Sequence, residues 1–225
     1  MKQTYFQKTL LVEDQGLTRQ AMKTLLVQCD PELDIDEAND YDSCLRQLAS
    51  GTYDLLFLDL QLGVGRSGLD ILRWIAENEI AIHTVILSGQ DDRETVLECI
   101  KQGASGFISK ASDGDDNVFK TALDTILSGQ IYLPNSALGK SSHRPAPGMA
   151  AKPVAIDTLA LSPRLAETLG LLCQGLSNKV IARKMALSES TVKEYSSDLL
   201  AKFGVRRRTE LIVEMARRGI VVPKS

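Results

Sequence analysis

The order of apolar and polar residues along the first 130 positions predicts strands and helices in alternation. The clearest strand is LLFLDL, residues 55–60, where four apolar residues run without a break before an aspartate. Such a run is typical of a strand covered on both faces, as in a parallel sheet. The other predicted strands are 9–14, 34–39, 83–88 and 106–110, and the predicted helices are 17–29, 41–49, 69–78, 93–102 and 117–128. Five successive strand–helix units predict an α/β fold, a doubly wound five-stranded parallel sheet of flavodoxin-like order 2-1-3-4-5.

The pattern changes twice beyond residue 134. Residues 135–157 are rich in Ser, Pro, Ala and Gly, have little apolar periodicity and predict a semi-extended linker. From Ser162 onward the pattern is helical, and two helices joined by a short turn predict a helix-turn-helix. The predicted N-caps are Ser162, Ser177, Ser188 and Thr209, and the predicted terminating glycines are Gly175, Gly204 and Gly219. We therefore expect three parts: an α/β domain (1–134), the linker (135–157) and an all-α domain (158–225).

Charge divides the chain at the same place. Residues 1–134 hold 22 acidic and 11 basic side chains, a net charge of −11, whereas residues 135–225 hold 7 and 15, a net charge of +8. This asymmetry indicates partners of opposite character for the two halves, and the basic half is suited to nucleic acid. The opposite charges also favour an attraction between the halves.

Composition argues against membrane insertion and secretion. No apolar run approaches the roughly 18 residues of a membrane span, and the N-terminus is a poor signal peptide. The cysteines form no C-x-x-C pair and neither histidine lies near one, so the pattern favours buried thiols over a zinc site. These cysteines are Cys29, Cys44, Cys99 and Cys173. We therefore expect a cytoplasmic protein in a reducing compartment.

Three carboxylates follow two strands that the predicted order makes neighbours. Glu13 and Asp14 end the first strand, and Asp59 ends the third. Each close pair of such charges repels by roughly 1–4 kcal/mol at intermediate dielectric, so the cluster does not serve stability. Carboxylate oxygens are preferred ligands of hard divalent cations, and the pattern predicts a Mg²⁺ site.

Two further polar residues end the remaining strands. Ser88 ends the fourth strand with a hydroxyl, and Lys110 ends the fifth with an ammonium. Together with the carboxylates and the predicted metal, these are the groups that phosphoryl transfer needs. In this interpretation Asp59 attacks phosphorus, Lys110 neutralises the equatorial oxygens, and Ser88 donates to the attached phosphoryl group.

The motifs LVED, LLFLDL, ILSG and GASGFISK make residues 8–130 similar to the receiver domain of bacterial response regulators. The spacing also matches: 45 residues separate Asp14 from Asp59, 29 separate Asp59 from Ser88, and 22 separate Ser88 from Lys110. The resemblance implies that Asp59 accepts phosphate from a sensor histidine kinase. It also implies that Glu13, Asp14, Asp59 and the backbone carbonyl of Gln61 hold Mg²⁺, and that Ser88 and Phe107 form the switch pair.

Residues 159–222 resemble the LuxR-type DNA-binding domain, with GLSNK and LSESTVK as the most specific segments. The whole chain thus resembles a NarL/FixJ-type response regulator, which implies double-stranded DNA as a partner and a homodimer in the active state. The candidate DNA-binding residues are Lys179, Arg183, Lys184, Thr191, Lys193, Glu194, Ser197, Arg206, Arg207 and Arg208. Leu211, Ile212 and Met215 supply either a pairing stripe on the last helix or part of the core.

The sequence departs from these families in places. The loop after Asp59, LQLGVGRSG, lacks the usual proline and is one residue longer. The predicted recognition helix, residues 189–203, has a net charge of −1, and Glu194 stands where a small or apolar residue is usual. An acid there repels phosphate but can accept a hydrogen bond from cytosine N4.

The hypothesis is a phosphorylation-gated transcription regulator that is not an enzyme. A phosphatase with an aspartyl nucleophile is disfavoured because Gln61, two residues after Asp59, is an amide and cannot act as general acid–base. Two alternatives stay open. The C-terminal domain of a phospho-switched regulator binds a protein instead of DNA, or the chain is a dimeric transcription factor that works without phosphate.

Overall fold

The front half of the protein is a parallel sheet of five strands with helices on both faces. The computed structural model describes residues 6, 8–63, 65–110, 116–127, 130–138 and 154–221. The strands, in the predicted spatial order β2-β1-β3-β4-β5, are β1 (Lys8–Val12), β2 (Asp34–Ala38), β3 (Leu55–Asp59), β4 (His83–Ser88) and β5 (Gly106–Ser109). The helices are α1 (Gly16–Cys29), α2 (Tyr41–Ser50), α3 (Gly68–Glu77), α4 (Arg93–Lys101) and α5 (Asp116–Leu127).

The central strand explains the unbroken apolar run. All five residues of β3 are buried, and the four apolar ones alternate between two cores. Leu55 and Phe57 pack on the face that carries α1 and α5, whereas Leu56 and Leu58 pack on the opposite face. Because both faces are covered by helices, neither needs polar residues. The four cysteines are free thiols and buried, as predicted.

The back half consists of short helices. The short helix α6 (Asn135–Leu138) belongs with the front half, where it packs against α4. The elements of the back half are β6 (Val154–Ala155), a 3₁₀ helix (Ile156–Leu159), α7 (Pro163–Cys173), α8 (Asn178–Met185), α9 (Glu189–Lys202), α10 (Arg208–Arg218) and β7 (Ile220–Val221). The hydroxyls of Ser162, Ser177 and Ser188 accept hydrogen bonds from backbone N–H groups in the first turns of α7, α8 and α9. Helices α8 and α9 pack against each other as the predicted helix-turn-helix.

The start of the last helix differs from the prediction. Thr209 is not its N-cap, because α10 begins at Arg208 and Arg207 occupies the cap position with an extended backbone. No side chain caps the helix there in the usual way. Instead the Glu210 carboxylate reaches back and accepts a hydrogen bond from the Arg206 backbone N–H at 2.8 Å.

Both ends of the predicted linker are folded. Residues 135–138 form α6, and β6 pairs in parallel with β7, so ordered structure reaches into the segment 135–157 from both sides. Composition missed these contacts because they are made to distant parts of the chain. The prolines at 145, 147 and 153 lie outside the described residues.

The two halves pack against each other through a shared apolar core. Helix α10 contacts α4 and α6 as well as α7 and α9, and one apolar cluster continues from the front half into the back half. Gln130 Nε2 donates to the Gly219 carbonyl at 3.0 Å, and Arg217 Nη2 donates to the Leu138 carbonyl at 2.6 Å. At one point the backbones of Gly103 and Gly175 meet so closely that a Cβ atom on Gly175 would overlap the Gly103 carbonyl.

The described helices include none that is both long and apolar enough to cross a membrane.

Candidate functional site

Three carboxylates meet at the carboxyl edge of the sheet, as the strand order requires. One oxygen each of Glu13, Asp14 and Asp59 lies within 4.8 Å of the others. Glu13 is fully buried and Asp59 is 3% exposed, while Asp14 is half-buried. Burial raises the pKa of the Glu13 carboxyl despite a hydrogen bond from Lys110, because the charged form has lost most of its water.

Lys110 holds two of these carboxylates together. Its Nζ lies 2.5 Å from Glu13 Oε2 and 2.9 Å from Asp59 Oδ2. The Lys110 side chain is 23% exposed, so the amine reaches the site from its rim. The backbone N–H of Lys110 donates to the Ser88 carbonyl, which fixes the end of β5 against β4. The predicted juxtaposition of Glu13, Asp14, Asp59 and Lys110, at the ends of β1, β3 and β5, is therefore present.

The third carboxylate, that of Asp14, has one oxygen without a hydrogen-bond partner among the described residues. This oxygen, Oδ1, is buried. A buried carboxylate oxygen without a donor is costly in free energy. Three carboxylates, one of which has an unsatisfied oxygen, match the oxygen donors that Mg²⁺ prefers, so the residues fit a divalent cation.

Ser88 and Phe107 lie on the adjacent strands β4 and β5, with Ser88 at the carboxyl edge of the sheet and Phe107 two residues before the end of β5. Ser88 is buried and its Oγ accepts a hydrogen bond from the Gln90 backbone N–H at 3.1 Å. Phe107 is fully buried, pairs in register with Ile86, and donates its backbone N–H to the Tyr132 carbonyl at 2.9 Å. Phe107 is thus tied through its backbone to the segment that leads into the back half.

The loop after Asp59 closes over the site. The Gln61 backbone N–H donates to Asp59 Oδ1 at 3.2 Å, and Gln61 forms an isolated antiparallel bridge with Ser67. Gly63 has a φ of +79°, and a Cβ atom there would lie 3.9 Å from Asp14 Oδ2. Residue 64, in the additional length of this loop, lies outside the described residues.

The candidate DNA-binding residues divide by exposure. Val192 and Leu199 of α9 are fully buried, whereas Lys193, Glu194, Ser197 and Ala201 are exposed, so the candidate contact residues of this helix lie on its solvent face. Arg183, Lys184, Arg206 and Arg207 are exposed and Thr191 is half-buried, with its hydroxyl 2.8 Å from that of Ser188. Lys179 and Arg183, one turn apart on α8, both pair with Glu79 of the front half.

Arg208 stands apart from this set. Its guanidinium donates to the carbonyls of Leu172 and Leu176 at 2.7 Å each, so it satisfies one carbonyl in the last turn of α7 and one in the turn that follows. Burial lowers the pKa of Arg208 to about 10, so the side chain remains charged at neutral pH. In this conformation its donors are directed into the protein and not toward a DNA surface.

Sequence reasoning did not single out two residues that contact functional groups. Arg19 Nη1 donates to the Glu13 backbone carbonyl at 2.7 Å, while its Nε pairs with Glu37 at 3.1 Å, so it holds the end of β1. Glu79, just beyond the end of α3, meets the cations of α8. Local sequence carries no signal for the Glu79 contact, because it depends on how the halves dock.

Comparison with known proteins finds two families along the chain. Residues 9–122 match the response regulator receiver domain, and residues 159–215 match bacterial regulatory proteins of the luxR family. The DNA-binding transcriptional activator DevR/DosR of Mycobacterium tuberculosis is 33% identical over 207 residues, which cover 92% of each chain. The nitrate/nitrite response regulator protein NarL of Escherichia coli K12 is 30% identical over 209 residues, which cover 91% of this chain and 92% of NarL.

Solved structures agree on the architecture. The two-component response regulator RcsB, in a complex with DNA, aligns with a TM-score of 0.52 at 16% identity, covering 94% of this chain and 98% of that one. At this level of identity the similarity establishes the fold alone.

Proposed function

We propose that Asp59 is the phosphoacceptor of this chain, which belongs to the response regulators that join a receiver domain to a LuxR-type DNA-binding domain. As a member of this family, the chain is a phosphorylation-controlled, DNA-binding transcription regulator. One observation carries the assignment: the Lys110 amine bridges Asp59 and Glu13 beside the unsatisfied oxygen of Asp14. No stabilising purpose accounts for three carboxylates in so small a space, whereas phosphoryl transfer does.

The chemistry assigned to Asp59 is nucleophilic attack on a phosphohistidine of a partner kinase. A carboxylate oxygen of Asp59 forms the new bond to phosphorus as the phosphorus–nitrogen bond breaks, and the imidazole departs with the electron pair. The Gln61 N–H and the Lys110 amine orient the two oxygens of the nucleophile. Lys110 then neutralises charge on the transferred group, and Ser88, on the adjacent strand β4, donates its hydroxyl to the phosphoryl oxygens.

For the metal, we assign Glu13, Asp14 and Asp59 as carboxylate ligands and the Gln61 backbone carbonyl as a further ligand. When bound, Mg²⁺ supplies positive charge that offsets the negative charge of the carboxylates and of the phosphoryl group. Arg19 acts on this site indirectly, because it fastens the backbone carbonyl of Glu13 and thereby the end of β1.

Magnesium should stabilise the folded protein through this cluster. At a Mg²⁺ concentration about 100 times its Kd, mass action adds about 2.7 kcal/mol to the free energy of unfolding. We expect the wild-type Tm to rise by several degrees with MgCl₂ in a thermal melt, and Asp14→Asn to lose most of that rise. Asp42→Asn, the same change at an exposed aspartate of α2, serves as the matched control and should respond like wild type. An equal Mg²⁺ response in the wild type and Asp14→Asn would contradict the assignment.

For DNA, we assign α9 to the major groove and α8 to the phosphate backbone. In a helix-turn-helix the first helix crosses the backbone while the second presents side chains to base edges. Lys193, Glu194 and Ser197 occupy the exposed face of α9. Phosphate contacts are assigned to Lys179, Arg183, Lys184, Thr191, Arg206 and Arg207. Arg208 is left out of this set, because its donors are committed to α7.

Salt dependence should separate DNA binding from the alternative in which this domain binds a protein. A DNA-binding protein releases counterions, so the logarithm of its affinity falls steeply with the logarithm of salt concentration. With protein treated with acetyl phosphate, we expect the double variant Lys179→Ala/Arg183→Ala to reduce the slope by about 2. Lys120→Ala, which removes an exposed cation from α5, should leave the slope unchanged. A flat salt profile for the wild type would favour the protein-binding alternative.

We also propose that the active form is a homodimer and that the arrangement described here is the inactive one. Leu211, Ile212 and Met215 of α10 are all buried, and α10 lies against α4 and α6 of the front half. A helix covered in this way is not available to a second copy of the chain. Pairing joins two half-site contacts and so strengthens DNA binding. We further propose that a sensor histidine kinase is the phosphate donor and that the protein is located in the cytoplasm.

A further inference from the structure

The loop after Asp59 is tied together at its base. The Gly68 N–H donates to the Leu60 carbonyl at 3.0 Å. Just inside that hydrogen bond, Gln61 and Ser67 form the antiparallel bridge. A Cβ atom on Gly68 would overlap the Asp59 carbonyl oxygen, so the closed base rests directly on the backbone of the proposed phosphoacceptor. The rest of the loop therefore projects from a fixed base beside the site.

The middle of the loop borders the proposed metal ligands, but its own backbone does not hold it there. A Cβ atom on Gly63 would lie 3.9 Å from Asp14 Oδ2. Gly63 and Gly65 have φ of +79° and +99°, and glycine has more accessible backbone conformations than any other residue. Leu62, before these glycines, is buried in the apolar core. The segment that follows the glycines therefore needs a side-chain contact of its own to keep the loop in place.

Arg66 supplies that contact. Its guanidinium carbon lies 5.0 Å from the centroid of the Tyr41 ring, within the range of a cation–π interaction. Tyr41 is the first residue of α2 and packs against the apolar core. The Asp40 and Ser43 side chains cap this helix reciprocally, so the ring has a fixed position. Arg66 thus joins the returning side of the loop to a rigid neighbour.

We propose that Arg66 and Tyr41 form a clamp that keeps the loop after Asp59 closed and thereby slows the hydrolysis of the aspartyl phosphate. This inference rests on the proposed role of Asp59 as phosphoacceptor. Both members of the clamp are positioning residues, because neither belongs to the reacting groups or to the assigned metal ligands. The additional length and the glycines of this loop favour opening to water, and the clamp offsets that tendency.

Hydrolysis requires a water molecule to reach phosphorus on the side opposite Asp59. The water oxygen forms a bond to phosphorus while the bond between phosphorus and the Asp59 oxygen breaks, and the electron pair of that bond returns to the carboxylate. Both protons of the water leave on inorganic phosphate. The clamp takes no part in these bond changes, because a closed loop acts only by excluding the water that starts them.

The test follows the loss of phosphate from the full-length protein. The protein is loaded with acetyl phosphate and Mg²⁺, the donor is removed by rapid desalting, and the phosphorylated fraction is followed by intact-protein mass spectrometry. We expect Arg66→Ala and Tyr41→Leu each to shorten the half-life about two- to fivefold, the factor that corresponds to losing an exposed cation–π interaction. Tyr41→Phe keeps the ring and should retain the wild-type half-life.

Arg73→Ala is the matched control. Arg73 is exposed on α3 and pairs with Asp70, whose carboxylate also lies within electrostatic reach of Arg66. This variant removes the same charge from the same neighbourhood without removing the cation over the Tyr41 ring, so it should leave the half-life unchanged. Equal shortening in Arg73→Ala and Arg66→Ala would show that charge alone sets the half-life, and the clamp would be overturned.

Two further measurements separate the possible failures. In the Tyr41→Leu background, Arg66→Ala should shorten the half-life no further, and an additive effect would overturn the inference. A half-life that shortens only together with a lowered Tm would also overturn it, because that pattern reports general loosening of the fold. If the wild type gains no phosphoryl group, the assignment of Asp59 fails and this inference fails with it. Normal loading with unchanged half-lives in Arg66→Ala and Tyr41→Leu would overturn the clamp alone.

Discussion

Asp59→Asn is expected to abolish phosphorylation of this protein completely. Treated with acetyl phosphate and Mg²⁺, the wild type should gain the mass of one phosphoryl group, and Asp59→Asn should gain none. An amide is a poor nucleophile toward phosphorus, and the substitution also removes one of the three carboxylates of the metal site. Intact-protein mass spectrometry measures the outcome directly.

Asp42→Asn is again the control for this experiment. It makes the same chemical change on α2, outside the carboxylate cluster, and should be phosphorylated like the wild type. If the wild type itself gains no mass, the phosphate-independent dimer becomes the better hypothesis. If Asp59→Asn still gains a phosphoryl group, the acceptor is another residue and the assignment of Asp59 is wrong.

The front half and its acidic cluster were predictable because parallel topology fixes where strand ends meet. Strands β1 and β3 run side by side in the same direction, so residues that follow them converge whatever the helices do. The unbroken apolar residues of β3 identified a strand covered on both faces. Glu13, Asp14 and Asp59 could therefore be placed together from local patterns and strand order alone.

Features that depend on distant contacts were not predictable in the same way. Arg208 was assigned to DNA by its charge, but its guanidinium donates to carbonyls at and just after the end of α7, more than 30 residues earlier. Residues 135–138 were assigned to a linker by composition, but they form a helical turn against α4. In each case local propensity was outweighed by a tertiary contact that no local window contains.

The docking of the two halves was beyond sequence reasoning for a related reason. Opposite net charge predicted an attraction, but charge alone does not specify a geometry. The contact surface is set by shape, as at Gly103 and Gly175, where the absence of side chains lets two backbones meet. Neither glycine stands out in sequence from the other helix-ending glycines, so their role follows only from the packed structure.

Gly175→Ala is expected to drive the halves apart. The new Cβ atom would overlap the Gly103 carbonyl oxygen, and the overlapping atom belongs to backbone, which cannot rotate away as a flexible side chain can. The docked arrangement therefore becomes inaccessible without a shift of one half. We expect a larger radius of gyration in small-angle X-ray scattering. We also expect unphosphorylated protein to bind DNA about tenfold more tightly, since apparent affinity scales with the fraction of molecules in the competent state.

Gly204→Ala is the control that separates the loss of docking between the halves from the cost of a left-handed backbone conformation at alanine. Gly175 has a φ of +85° and Gly204 a φ of +66°, so alanine at either position adopts a left-handed conformation at a cost of about 1–2 kcal/mol. A Cβ atom on Gly204 would point into open space, with none of the described residues beyond its chain neighbours within 4 Å, so this substitution should lower the Tm without changing the radius of gyration. A Gly175→Ala protein that expands but binds DNA no better would show that docking does not restrain DNA binding. A protein that stays compact would show that the halves are not held by this contact.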